Sequence, residues 1–245
     1  MGPARQAEEL AGDSLLERLC AVAYPPQPSL PETLASLDPQ PRCIELRLDT
    51  LIRGPGDPVP RWLPGLIEEL AQARVKLVLT LREEDEGGQW RGPPEEKMLR
   101  LEELAHHGAW LVDLEARYPL LEEAASRISA AGPQVIVSHH IAGRTLGYPE
   151  IARLALAAVS RLEDSLIKIV HKCDGIASEA PCLAAVTAWR GRLACFSAWG
   201  PCLAARIAGP LLGAPLTYAG LDSRVVPGQP SYAEVVQVWS RIGVL

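Results

Sequence analysis

A lysine inside an otherwise apolar, strand-like run, Leu166-Ile167-Lys168-Ile169-Val170, is the first residue here whose type and place point to chemistry. Of the 24 basic residues only Lys76, Lys97, Lys168 and Lys172 are lysines, so the chain uses arginine nearly everywhere a plain positive charge would serve. Burial disfavours the ammonium form, and a neutral amine attacks a ketone or aldehyde to form a Schiff base. Lys172 lies on the same strand face two pleats further on, and its charge would disfavour a second ammonium beside it if the two come close. Structural pairing of Lys168 with a carboxylate is the alternative reading.

Other charged residues gather at the ends of similar runs. Cys43-Ile44-Glu45-Leu46-Arg47-Leu48-Asp49 places Glu45, Arg47 and Asp49 on one face of a strand and Ile44, Leu46 and Leu48 on the other. Thr80-Leu81-Arg82 runs into an acidic loop, Glu83-Glu84-Asp85-Glu86-Gly87-Gly88. Val112-Asp113-Leu114-Glu115 puts two carboxylates on one face, and Ser138-His139-His140 follows on the next run. A carboxylate and an imidazole on neighbouring strands suit a general acid/base whose tautomer is fixed from behind. Periodicity alone does not choose between the two histidines; His139 reads as a hydrogen-bonded structural residue, and His106 and His107 as solvated helix positions. Arg206, after Trp199-Gly200, and Gln229, in Pro227-Gly228-Gln229, fall where an anionic substrate group would be held, a bidentate guanidinium suiting a carboxylate.

These residues need a scaffold that brings strand ends to one rim. Eight short apolar runs recur: Leu19 to Ala23, Cys43 to Leu48, Val75 to Leu81, Trp110 to Leu114, Gln134 to Ser138, Leu166 to Val170, Leu193 to Ser197 and Leu216 to Ala219. Segments of helical periodicity alternate with them, which is the pattern of a parallel sheet covered by helices. Eight such pairs in 245 residues predict a single-domain (β/α)8 TIM barrel spanning residues 18–245, with residues 1–17 as an N-terminal lead-in. The competing doubly wound sheet lacks its usual signature, since no glycine-rich phosphate motif follows the first strand. In a barrel the βα loops carry the chemistry, so the charged strand ends belong to the mouth.

Composition narrows the partners. The net charge of −6 and the absence of a basic stripe argue against nucleic acid, and no stretch supplies about 20 continuous apolar residues for a membrane span. The first 17 residues carry no apolar block of a secretory signal, which predicts a cytoplasmic protein. The six cysteines sit mostly inside apolar segments and form no C-x-x-C pair, which predicts reduced, buried thiols rather than zinc ligands or disulfides.

The order of these motifs resembles the type I 3-dehydroquinate dehydratases, from about Leu19 to Trp239. The resemblance rests on E-x-R-x-D at Glu45 to Asp49, T-x-R followed by E-G-G at Thr80 to Gly88, D-x-E at Asp113 to Glu115, S-x-H at Ser138 to His140, the strand lysine Lys168, and R-I-A-G followed by P-G-Q at Arg206 to Gln229. It implies a barrel that dehydrates 3-dehydroquinate to 3-dehydroshikimate in the shikimate pathway, with no metal and no cofactor, as a homodimer. By that resemblance Lys168 forms the imine, His140 transfers the proton and Glu115 orients His140. Glu45, Arg47 and Arg82 contact the ring hydroxyls, while Arg206 and Gln229 hold the carboxylate.

The chain also departs from the family pattern. A serine usual four residues before the P-G-Q glutamine is Val225 here, with Ser223 nearby in another register. The usual M-G-x-x-G-x-x-S-R run appears as Trp199 to Arg206, and the first strand, ending Val22-Ala23, lacks a hydroxyl. These changes cluster around the substrate carboxylate, leaving as alternatives a Schiff-base lyase of aldolase type acting on another keto acid, or a non-catalytic relative.

Overall fold

The strands are covered on both faces, which is why they read as short apolar runs, broken by polar residues only at inward positions such as Glu45, Asp113, Glu115, Ser138 and Lys168. The structure, a computed structural model, describes residues 14–24, 30–200, 202–221 and 228–245. Its strands are β1 (Leu19–Ala23), β2 (Cys43–Arg47), β3 (Lys76–Thr80), β4 (Leu111–Glu115), β5 (Gln134–Ile141), β6 (Leu166–Lys172), β7 (Leu193–Ala198) and β8 (Thr217–Gly220). All pair in parallel, in the order β7-β6-β5-β4-β3-β2-β1-β8.

The helices are α1 (Leu15–Arg18), α2 (Leu30–Ala35), α3 (Leu63–Gln72), α4 (Pro94–Ala105), α5 (Leu121–Ala130), α6 (Tyr148–Arg161), α7 (Ala180–Ala188), α8 (Ala204–Leu212) and α9 (Tyr232–Arg241). Helices α2 to α9 follow strands β1 to β8 in turn, so the predicted (β/α)8 barrel is the architecture observed. No ladder joins β7 to β8 among the described residues, and the barrel is nearly closed. The rings of Phe196 and Tyr218 meet across that seam at 5.7 Å, and Arg206 from α8 donates to the Tyr218 carbonyl at 2.8 Å. The last gap in the wall is thus filled by two rings and a cation, and it lies where the carboxylate-binding residues were expected.

Differences from the expected elements are local. β2 stops at Arg47, and Asp49 lies in a 3-10 turn (Leu48–Thr50), so Asp49 does not continue the charged strand face. β5 runs three residues beyond Ser138, which keeps both His139 and His140 on a strand. Of the expected lead-in, residues 1–13 lie outside the described residues, while Leu15–Arg18 forms α1, started by Ser14 and Glu17, whose carboxylate accepts the Ser14 amide at 2.8 Å. The expectation that every thiol is reduced is corrected at one place. Cys173, after β6, and Cys202, before α8, form a disulfide with Cα atoms 6.0 Å apart, while Cys20, Cys43, Cys182 and Cys195 are free and buried. The two loops touch because Gly200 abuts Cys173, an approach that sequence spacing does not reveal. Among the described residues no helix is long and apolar enough to cross a membrane.

Candidate active site

Inward positions of the strands converge on one pocket at the C-terminal rim, lined among others by Glu45, Arg47, Arg82, Glu86, His140, Lys168, Arg206, Tyr218 and Gln229. The period of two along β6 sends Lys168 and Val170 into it. At its floor the Lys168 ammonium lies 3.1 Å from Glu45 Oε1 and 3.1 Å from Asp113 Oδ2, 4.0 Å from the centre of the Tyr218 ring, and is 5% exposed. Lys172 does not join it. Its ammonium pairs at 2.8 Å with Asp174, half exposed, so the like-charge contact expected from the strand face is not made. A strand residue near the rim has solvent within reach, and the long lysine stem takes it.

Glu45 also accepts from Thr80 Oγ1 at 2.8 Å, which fixes its carboxylate between β3 and β6. Arg47 lines the pocket with its fork on Asp49, Nε to Oδ1 at 2.9 Å and Nη2 to Oδ2 at 3.0 Å. Asp49 therefore acts on Arg47 from behind rather than sharing its face. Arg82 reaches the pocket but spends its guanidinium on the wall, 2.7 Å from Asp113 and donating to Glu115 at 2.9 Å and Ser138 Oγ at 2.8 Å. Burial opposes the Arg82 charge, but Asp113, Glu115 and Glu86 outweigh it and hold the guanidinium ionised. Asp113 is likewise penalised by burial, yet Arg82 and Lys168 beside it keep its carboxyl well below the usual carboxylate range.

His140 is the imidazole in the pocket. Burial first, then Arg82 and Lys168, push it well below its ordinary value, so the imidazole is neutral near pH 7. The carboxylate in contact with it is Glu86, not Glu115. Glu86 Oε2 lies 3.0 Å from His140 Nδ1 and accepts the His140 backbone N–H at 3.1 Å. Glu115 is occupied elsewhere, by Arg82, by the Glu83 amide at 3.1 Å and by the Lys97 ammonium. Lys97, fully buried in α4, ties β4 to the acidic loop by a further contact to Glu83 at 2.9 Å. The contact with His140 expected of Glu115 is thus made by a residue of the loop. That loop is ordered because Glu84–Glu86 forms a 3-10 turn capped by Gly87 at φ 83°. At Gly88 a Cβ would come within 2.1 Å of the Arg82 carbonyl, so the chain doubles back and aims Glu86 inward. The E-G-G run was the signal for this, and charge density alone hid it. Burial, opposed by Arg82, pushes Glu86 up to about 7.

His139 points to the outer face of β5. It is not the hydrogen-bonded residue expected: its Nε2 is buried without a partner, and burial, helped by Arg117, lowers it to about 4.

Arg206 enters from the first turns of α8 with 3% exposure. Its guanidinium lies 4.1 Å from the Phe196 ring, donates to the Tyr218 carbonyl, and leaves Nε buried without a partner. Burial lowers it to about 10, against the pull of Glu179. A cation so placed accommodates an anionic ligand group. Gln229 stands beside it because the loops after β7 and β8 meet backbone to backbone. A Cβ on Gly228, at φ 83°, would fall 1.8 Å from the Gly200 carbonyl. Trp199, itself at φ 57°, completes this rim. Val225 and Ser223 lie outside the described residues. The expected residues Glu45, Arg47, Arg82, His140, Lys168, Arg206 and Gln229 are therefore brought together, Glu115 sits one layer behind, and Glu86 joins them.

Comparison with known proteins agrees with this geometry. A family model described as type I 3-dehydroquinase matches residues 21–245. A 3-dehydroquinate dehydratase of Aeropyrum pernix is 31% identical over 236 residues, 93% of this chain and 96% of that one. One of Pyrobaculum aerophilum is 31% identical over 188 residues, 76% of this chain, and the match spans 59% of that relative's length. The crystal structure of the enzyme of that name from Aquifex aeolicus superposes with a TM-score of 0.76 at 22% identity, covering 93% of this chain and 99% of the other.

Proposed function

Because the chain belongs to the type I 3-dehydroquinase family, we propose that it dehydrates 3-dehydroquinate to 3-dehydroshikimate through an imine on Lys168. The observation that carries this reading is a buried lysine nitrogen and a neutral imidazole facing one pocket, with a separate guanidinium at its edge whose Nε has no partner. Once the Lys168 ammonium has passed a proton to solvent through the open pocket, the amine adds to the substrate ketone, and loss of water gives the protonated imine. That positive nitrogen withdraws electrons from the neighbouring C–H, whose proton passes to His140 Nε2. The electron pair expels the β-hydroxyl, which leaves as water with the proton returned by His140. Hydrolysis of the imine then frees the conjugated product and restores Lys168. Arg206 and Gln229 take the substrate carboxylate, and Glu45 and Arg47 face the ring hydroxyls. A cytoplasmic location and a homodimeric assembly belong to the same proposal, as implications of the family.

Glu86 sets the pH response. Its Oε2 already accepts a backbone N–H, so ionised Glu86 also accepts Nδ1–H and leaves the Nε2 lone pair free as base. Protonated Glu86 competes for Nδ1 and spoils that tautomer. Its value is raised to about 7, so kcat/KM, followed by ultraviolet absorbance of the enone, is expected to fall as pH drops through about 7. In Glu86→Gln that acid limb disappears and the remaining rate is low; an unchanged limb would remove Glu86 from the account.

Arg206→Ala is expected to raise KM more than it lowers kcat. Losing a desolvated charge contact costs about 2–5 kcal/mol, or roughly 30- to 4,000-fold. A KM unchanged in steady-state assays would place the carboxylate elsewhere.

A further inference from the structure

Behind the pocket wall, under α7, a second group of reactive side chains converges. The pleat that turns Lys168 and Val170 inward on β6 turns His171 outward, and on β7 the same alternation turns Phe196 and Ala198 inward and Cys195 outward. Cys182 of α7 closes over both. All three are within 2% of complete burial. His171 Nε2 lies 3.1 Å from Cys182 Sγ, and the three candidate ligand atoms, one nitrogen and two sulfurs, are all within 4.8 Å of one another. A tetrahedral zinc centre with bonds of about 2.0–2.3 Å sets its ligand atoms roughly 3.3–3.8 Å apart, so this trio needs only a small contraction.

The imidazole is already held in the form a metal requires. His171 Nδ1 lies 2.9 Å from the Lys172 carbonyl, which can only accept, so Nδ1 carries the hydrogen and Nε2 presents its lone pair to the sulfurs. The longer 3.5 Å approach of the Leu146 amide does not compete with that contact. An imidazole anchored through its other N–H to a backbone carbonyl is the usual support of a ligating histidine.

A buried carboxylate outside this trio is near enough for its charge to reach it. Glu179 is fully buried, and its charge acts on His171, Cys182 and Cys195 alike. One of its oxygens accepts the Ala204 amide at the start of α8 at 2.6 Å, and the other, Oε1, is buried with no partner. An unpartnered carboxylate oxygen in the interior is costly and calls for a proton or a cation.

We propose that His171, Cys182 and Cys195 are three ligands of a structural site for a zinc-type divalent cation, outside the dehydration chemistry, with Glu179 swinging in as the fourth when the ion binds. Two thiolates and a neutral imidazole are donors shared by closed zinc sites, and a carboxylate oxygen is a further ligand type that zinc accepts. The ion would tie β6, which carries Lys168, to β7, to α7 and, through Glu179, to the helix that carries Arg206. The long spacing, His171-x10-Cys182-x12-Cys195, explains why the cysteines read as inert thiols in the sequence.

The test is titration of the whole chelator-stripped, reduced protein with cobalt(II) alone. One equivalent is expected to give thiolate-to-cobalt charge transfer in the near ultraviolet and the intense visible bands of a tetrahedral site. Zinc should displace it and raise the melting temperature. Cys182→Ser and Cys195→Ser are expected to lose the charge-transfer band and Glu179→Gln to weaken binding about 10- to 100-fold, while Cys202→Ser keeps the full spectrum. Absence of a thiolate band in the unsubstituted protein overturns the proposal, which then does not depend on whether a variant folds. So does a band that survives Cys182→Ser.

Discussion

Lys168→Met is expected to abolish turnover of 3-dehydroquinate, by at least about 10⁴-fold, the scale seen when a covalent nucleophile is removed from a concerted site. Methionine keeps the stem packed against Tyr218 and removes only the amine. The fold should survive the change, because the two carboxylates that lose their ammonium keep other partners. Asp113 remains 2.7 Å from Arg82 and bonded to Ser138, and Glu45 still accepts from Thr80. The destabilisation should therefore be about 1–3 kcal/mol, below the cost of stranding a buried charge outright. Thermal melting alongside the enone assay separates the two effects. A folded Lys168→Met protein that retains most of its activity would end the imine reading.

His140→Gln is expected to lower kcat by about 10²- to 10⁴-fold while Lys168 still reacts with the ketone. Glutamine can occupy the space and meet Glu86, but it cannot accept the carbon-bound proton. The covalent complex should then accumulate, visible as a mass increase on the intact chain during turnover. A variant with slow product formation and no accumulated adduct would instead assign His140 to imine formation. A kcat close to that of the unsubstituted enzyme would remove it from proton transfer altogether.

Which parts of this were legible in the sequence follows from the range over which each feature is decided. All eight strands were found because a parallel strand buried on both faces needs an apolar run, a property of four to eight consecutive residues. The inward face of Glu45, Arg47 and Lys168 followed from the same alternation. The partner of His140 did not, because D-x-E on the adjacent strand and E-G-G in the loop offer equally suitable carboxylates. Only the fold shows that Lys97 and Arg82 already occupy Glu115 while Gly87 and Gly88 bend Glu86 into reach. Lys172 shows the same limit: strand parity assigns a face, and rim solvent with Asp174 then decides where a flexible stem goes. The Cys173–Cys202 pair and the cluster of His171, Cys182 and Cys195 depend on residues 11 to 29 positions apart meeting across elements, beyond the reach of local spacing.

The most direct measurement of the central claim is borohydride reduction of the protein in the presence of 3-dehydroquinate, followed by peptide mass spectrometry. A reduced, substrate-derived adduct on the peptide carrying Lys168, absent without substrate and absent in Lys168→Met, is the predicted result. An intact, folded protein that forms the enone but yields no adduct, or an adduct on Lys172 instead, would contradict it.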